Sequence, residues 1–130
     1  MKTYTKEEQK ENLEGACKEL EANSKKAIGR MRDTEGGRCC LCVMEDYAIS
    51  IDPAIRRGSQ YTPSSDLVCF YGLANNISEV DNRANDIELF NFVFENGDYA
   101  SDCNDGETNS NVKEHTHKEI AARIRAEFLS

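Results

Sequence analysis

Apolar positions along the chain follow two periodicities, separated by long polar stretches. Leu13, Ala16, Cys17 and Leu20 recur at i, i+3, i+4 and i+7, the spacing that lines one side of an α-helix. The residues between them are mostly charged, so the pattern predicts a helix that packs by one narrow stripe. Its start is marked by Thr5-Lys6-Glu7-Glu8, a capping box in which a hydroxyl and a carboxylate each satisfy an orphan amide. Asn23-Ser24 interrupts it. Towards the other end, Ile120, Ile124 and Phe128 share a face opposite Lys118, Arg123, Arg125 and Glu127, behind a second capping box, Thr116-His117-Lys118-Glu119. A terminal helix is predicted there.

In the middle, Cys40, Val43, Met44 and Tyr47 keep helical spacing between Cys39 and Ala48, although Arg38 to Met44 alone also reads as a short buried strand. The stretch Gly36 to Asp46 holds three of the six cysteines, and free cysteine is among the most buried residue types. It is therefore predicted as the core segment around which the rest packs. Asp33-Thr34-Glu35-Gly36-Gly37 precedes it as a turn, and Ile49 to Pro53 breaks the helix. Thr62-Pro63-Ser64-Ser65-Asp66 reads as a helix cap followed by proline in the first turn, with Leu67, Phe70 and Tyr71 on one face and Gly72 as the stop.

Phe90, Phe92 and Phe94 alternate before Asn96-Gly97, a strong hairpin signal. A strand is predicted, with a helix over Ala84 to Phe94 as the alternative. Asn104 to Asn111 has no apolar side chain and reads as a loop. The fold class expected is α+β: a compact, mainly helical single domain over residues 1–130 with a short β-hairpin or small sheet. An isolated two-stranded ribbon is marginal in water, so the strand needs a cover beyond its own hairpin. This predicts a homodimer built on Leu89 to Phe94; the alternative is a monomer that buries all three phenylalanines.

Length and charge narrow the functional classes. A chain of 130 residues suits one core. A net charge of −8, from 24 acids against 16 bases, argues against general attraction to a nucleic acid backbone and favours basic partners. Between Ser78 and Glu107, nine acids (Glu79, Asp81, Asp86, Glu88, Glu95, Asp98, Asp102, Asp105 and Glu107) face Arg83 alone, so this segment carries the whole net charge. Bases gather at Lys25, Lys26, Arg30 and Arg32, and again at Arg56-Arg57. No window approaches the ~18 apolar residues of a membrane span, and the amino-terminal residues are polar. The expectation is a soluble, unprocessed cytoplasmic protein. Six cysteines without a secretion signal, two of them the awkwardly adjacent Cys39-Cys40, read as free thiols.

Three kinds of site chemistry compete with an inert reading. Cys39, Cys40, Cys42, Cys69, Cys103, His115 and His117 include enough soft ligands for zinc, but Cys40-Leu41-Cys42 is a poor substitute for a zinc knuckle. Buried thiols and no cofactor are expected. A cysteine nucleophile served by His115 or His117 is opposed by burial, which raises a thiol pKa. Asp102 and Asp105 as ligands of a divalent cation lack the ordered loop of an EF-hand.

The run Gly37-Arg38-Cys39-Cys40-Leu41-Cys42-Val43-Met44-Glu45-Asp46 resembles the Cys-Cys-Leu-Gly-Val-Leu-Cys-Asp segment of small uncharacterised bacteriophage and prophage proteins, differing at Cys42, where they have Gly. Phe70-Tyr71-Gly72-Leu73 is similar to their aromatic-Gly-Leu helix end. Asn104-Asp105 and Thr116-His117-Lys118-Glu119-Ile120-Ala121 are similar to their Asn-Asp and (Ser/Thr)-Phe-x-Glu-Ile-Ala pieces, with a longer segment between the two here. The resemblance implies a phage origin and a mainly helical fold, with no activity or catalytic residue to carry over.

Two functions follow as expectations. The first is a non-enzymatic accessory protein that binds and inhibits a host protein with a basic surface, as counter-defence, through Asp98, Asp102 and Asp105. The second is sequestration of a small anionic ligand such as a nucleotide signal, with Arg30, Arg32, Arg56 and Arg57 as charges and Phe70, Tyr71 or Phe92 stacking on a base.

Overall fold

Five helices make up the regular structure of the described residues: α1 (Lys6–Ala22), α2 (Cys40–Ile51), α3 (Asp66–Tyr71), α4 (Ala100–Asp105) and α5 (His117–Phe128). The computed structural model describes residues 3–23, 25–73, 90–94, 96–106 and 112–129. Among these there is no sheet. Pairing is limited to isolated antiparallel bridges at Arg32 with Arg38 and Val93 with Tyr99. The α+β expectation is therefore corrected: the described chain is mainly helical. No helix among the described residues is long and apolar enough to cross a membrane.

Both capping boxes form. Thr5 accepts from the Glu8 amide while Glu8 returns a bond to the Thr5 amide, and Thr116 and Glu119 do the same. Helix α1 buries Leu13, Ala16, Cys17 and Leu20, its predicted stripe, against α5, α2 and α3. Helix α2 is covered on all sides over its first half, burying every residue from Cys40 to Glu45 and then Ala48. It also packs on α3 and α4, and α4 rests on α5. A row of seven rings, Tyr4, Phe70, Tyr71, Phe90, Phe92, Phe94 and Phe128, runs through the core with successive centroids 4.8 to 5.9 Å apart.

The two six-residue helices have no side-chain cap of their own, and groups far away in sequence serve instead. Asn91 Oδ1 accepts the Ser101 amide at 2.9 Å in the first turn of α4. Gln9 and Asn12 of α1 donate to the carbonyls of Cys69 and Phe70 in the last turn of α3, at 2.8 and 2.9 Å. Gly72 ends α3 as expected, with a φ of 73° that favours glycine. Its start differs from expectation. The helix begins at Asp66 rather than behind Thr62, because the Ser64 amide is drawn to the Glu45 carboxylate at 2.8 Å.

The Phe90 to Phe94 element is corrected too. The Phe92 amide donates to the Phe90 carbonyl at 2.8 Å, a three-residue turn in place of the ladder bonds of a strand. Asn91 is pulled outward by its bonds to Ser101, and Phe90, Phe92 and Phe94 are all buried within one chain. Nor is 90–94 helical. Leu89 and the rest of 84–89 lie outside the described residues, as do Glu79, Asp81, Arg83, Glu88, Glu95 and Glu107. Asn96-Gly97 does turn the chain, with the Phe94 amide bonded to the Asp98 carbonyl at 2.8 Å. The returning arm becomes α4, including Asn104 and Asp105, which were expected in a loop.

Candidate functional site

Two arrangements converge on α2: a cluster of thiols at its first turn and a cluster of charges on its second. Cys39 is the N-cap, with extended backbone, and its Sγ accepts the Cys42 amide at 3.4 Å. The Cys40 amide at position N1 is capped by Asn104 Oδ1 at 2.9 Å. From this turn the sulfurs diverge. Cys39 Sγ meets Met31 Sδ at 3.6 Å, Cys40 Sγ meets the Ala100 carbonyl at 3.6 Å, and Cys42 Sγ lies 3.9 Å from Asp46 Oδ2. Cys103 Sγ takes a bond from Arg123 at 3.4 Å, and Cys69 is exposed. All six cysteines are free thiols.

Among the described residues no group of three His, Cys, Asp or Glu side chains is arranged to hold a metal ion. His117 is buried, with Nδ1 donating to the Asn23 carbonyl at the end of α1, and the His115 ring bonds the Lys113 carbonyl. Burial pushes the thiols up, Cys39 to about 11 and Cys42 to about 12, with Cys40 well above its ordinary value. They are protonated at neutral pH. One signal was legible in the sequence and not used: Cys39 and Cys42 stand at Cys-x₂-Cys spacing.

The two basic patches of the sequence meet at Asp46. Arg32 and Arg57 share its Oδ1 at 2.9 and 2.6 Å, while Arg38 holds Oδ2 at 2.6 Å. Burial opposes the Asp46 charge, yet the hydrogen bonds from Arg57, Arg38 and Arg32 overcome it and hold the carboxyl below its usual range. Beside it, Glu45 is buried. It accepts the amides of Gly58 at 3.0 Å and Ser64 at 2.8 Å, with Arg57 at 3.4 Å. Burial pushes the Glu45 carboxyl up against those bonds. Together the two acids fasten both basic loops onto one helix turn.

Of the residues expected to take an anion, Arg32 and Arg57 are brought together. Arg56 pairs instead with Asp66 at 3.3 Å, and Arg30 lies on the wall of a cavity of about 110 Å³. Phe70, Tyr71 and Phe92 are buried in the aromatic row and present no face to a ligand. Among the acids expected to meet a partner, Asp98 pairs with Arg123 at 3.4 Å, and that guanidinium also lies 4.1 Å over the Phe94 ring. Asp102 is half-buried in the first turn of α4. Asp105 accepts from Asn104 at 2.7 Å and lines the same cavity as Arg30.

A further acidic feature was not anticipated. Tyr4, Glu8, Glu11, Asn12, Ile51 and Asp52 line a groove of about 290 Å³ between the start of α1 and the end of α2. The Tyr4 hydroxyl donates to Asp52, and Ile51 stands exposed at its edge. The glutamates were visible in the sequence, but Asp52 joins them only through helix packing.

No family model, curated protein or solved structure matches this chain.

Proposed function

We propose that this chain is a small phage-type accessory protein that works in the host cytoplasm by binding rather than catalysis, inhibiting a host protein through that protein's basic surface. One observation carries the reading: among the described residues, six arginines are turned onto the chain's own carboxylates. Arg32, Arg38 and Arg57 bind Asp46, Arg56 binds Asp66, Arg123 binds Asp98 and Glu127, and Arg125 binds Glu14 and Glu21. The chain as a whole keeps a net charge of −8, and Glu7, Glu11 and Glu19 stand exposed along α1 among Lys6, Lys10 and Lys18. A field of one sign speeds encounter with a basic partner and disfavours acidic ones. At the groove edged by Tyr4 and Ile51, exposed Glu11 offers a carboxylate to a lysine or arginine side chain, whose stem packs on apolar atoms.

The test is affinity purification from a bacterial host with the wild-type chain and with Glu7→Lys/Glu11→Lys. The wild type should retain a protein that the double variant loses, and capture should weaken as salt rises. A parallel Asp102→Asn/Asp105→Asn variant asks whether the α4 acids share the contact. Capture by the wild type that neither charge change nor salt affects would remove the electrostatic basis of the proposal.

A further inference from the structure

Cys39 and Cys42 occupy the N-cap and third position of α2, a placement in which two thiols three residues apart lie on the same opening turn. We propose that this pair is a redox couple, a dithiol that a hydroperoxide converts into a disulfide within the turn, with Cys39 as the sulfur that meets the oxidant.

The geometry separates the two sulfurs by role. Cys39 keeps 8% of its surface exposed and lines the cavity of about 110 Å³ with Arg30, Ser101 and Asn104, whereas Cys42 is fully covered. A peroxide fits such a space. Cys39 Sγ already leans over the turn to accept the Cys42 amide at 3.4 Å. Residues three apart on a helix have Cβ atoms roughly 5–6 Å apart, and a disulfide closes them to about 3.5–4.5 Å. A small shift at the N-cap, which lies outside the helical hydrogen bonds, meets that difference. Cys40 is no competitor for Cys39, because adjacent residues do not face each other on a helix and its Sγ points to the Ala100 carbonyl.

The chemistry balances with peroxide as the oxidant. The Cys39 thiolate, once its proton has been released, attacks one peroxide oxygen; the S–O bond forms, the O–O bond breaks, and the departing hydroxide takes up the released proton as water. Sulfur is oxidised to sulfenic acid and peroxide is reduced. Cys42 then attacks Cys39 Sγ; the S–S bond forms, the S–O bond breaks, and the hydroxyl leaves as a second water with the Cys42 proton. Burial holds both thiols protonated at neutral pH, so the first step is slow there and quickens as pH rises. Closing the bridge also draws Cys42 Sγ away from Asp46 Oδ2, the acid that gathers Arg32, Arg38 and Arg57. Oxidation at the first turn is thereby felt at the charge cluster on the next.

Hydrogen peroxide treatment of the folded wild-type protein, followed by alkylation and tryptic mapping, tests this. Cleavage after Arg38 and Arg56 isolates Cys39, Cys40 and Cys42 in one peptide. The expected product has lost two hydrogens and carries a single alkyl group, on Cys40; dithiothreitol restores three alkylation sites. Cys40→Ser should still close the bridge, and Cys42→Ser should stop at a sulfenic acid that dimedone traps on Cys39. The wild-type map decides the question even if a variant fails to fold. Three alkylated cysteines after treatment, a bridge to Cys103, or oxidation confined to exposed Cys69 would each overturn the proposal.

Discussion

Asn104 Oδ1 accepts the backbone amide of Cys40 at 2.9 Å across 64 positions of chain, and its amide group donates to the Ala27 carbonyl at 2.8 Å. One fully buried side chain thus caps α2 and fastens the loop that carries Lys25 to Arg32. Replacing it by alanine strands a donor and an acceptor away from water, which costs about 1–3 kcal/mol for each group. Asn104→Ala should therefore lose about 2–4 kcal/mol in urea unfolding, with a loss below ~1 kcal/mol showing that the site relaxes or admits water. Asn104→Asp keeps the acceptor but forfeits the donor beside Asp105, and should fall further as pH rises.

Glu45 does for the loop at 58–64 what Asn104 does for the loop before α2. Its two amide bonds and its burial mean that Glu45→Ala leaves the Gly58 and Ser64 amides without their acceptor. A loss of about 2–4 kcal/mol is expected. Both amides donate to Oε2, so Glu45→Gln, which retains one carbonyl oxygen, can keep both bonds and should lose less than Glu45→Ala. Amide exchange at Gly58 and Ser64 is the direct measurement; protection unchanged in Glu45→Ala would refute the assignment.

His117 should make stability fall on the acid side of neutrality. Burial, with Lys26 and Arg38 nearby, holds its pKa below the ordinary 6.5 in the folded chain. The unfolded chain therefore binds a proton first as pH drops. Below about pH 6.5 stability declines, by at most about 1.4 kcal/mol per pH unit from this group, until the folded ring itself titrates. His117→Gln should flatten that part of the profile below about pH 6.5. Parallel profiles for the two proteins would show that His117 is not the group responsible.

Gly15 in the middle of α1 faces the Tyr47 ring of α2, which a Cβ at position 15 would strike. On an open helix, Gly→Ala stabilises by about 1 kcal/mol. Here Gly15→Ala must displace Tyr47 from its place between the helices and should destabilise by about 1–2 kcal/mol. The sign should reverse in a Tyr47→Ala background, where the same change recovers the helix propensity. A double-mutant cycle in urea measures both, and additivity of the two changes would mean that the residues do not couple.

How much of this was legible follows from where each cause lies. α1 and α5 are declared by their own periodicity and capping boxes, α2 by periodicity alone with a short strand as the alternative, and the stripe Leu13, Ala16, Cys17, Leu20 is the one that is buried. α4 is six residues with two apolar ones, Ala100 and Cys103, and its cap is Asn91, nine positions before it begins. A local reading cannot see such a partner. The alternation of Phe90, Phe92 and Phe94 suggested a strand, but the turn at Asn91 overrides it. At the site, both basic patches were visible, while their meeting at Asp46 belongs to tertiary packing. Cys39 and Cys42 needed only counting, and Cys40 standing between them masked the spacing.

The aromatic row has a kinetic consequence. Its rings come from position 4, from 70–71, from 90–94 and from 128, and α1 packs most directly on α5 at the far end of the chain. Most of the loop-closure entropy must be lost before these contacts form. A helical protein usually folds in microseconds to milliseconds because its contacts are local. Here the first helix has no completed core until the last one arrives, so refolding should be slower than helical content alone suggests. Phe128→Leu, which thins the final contact of the row, should mainly speed unfolding if that contact closes after the transition state.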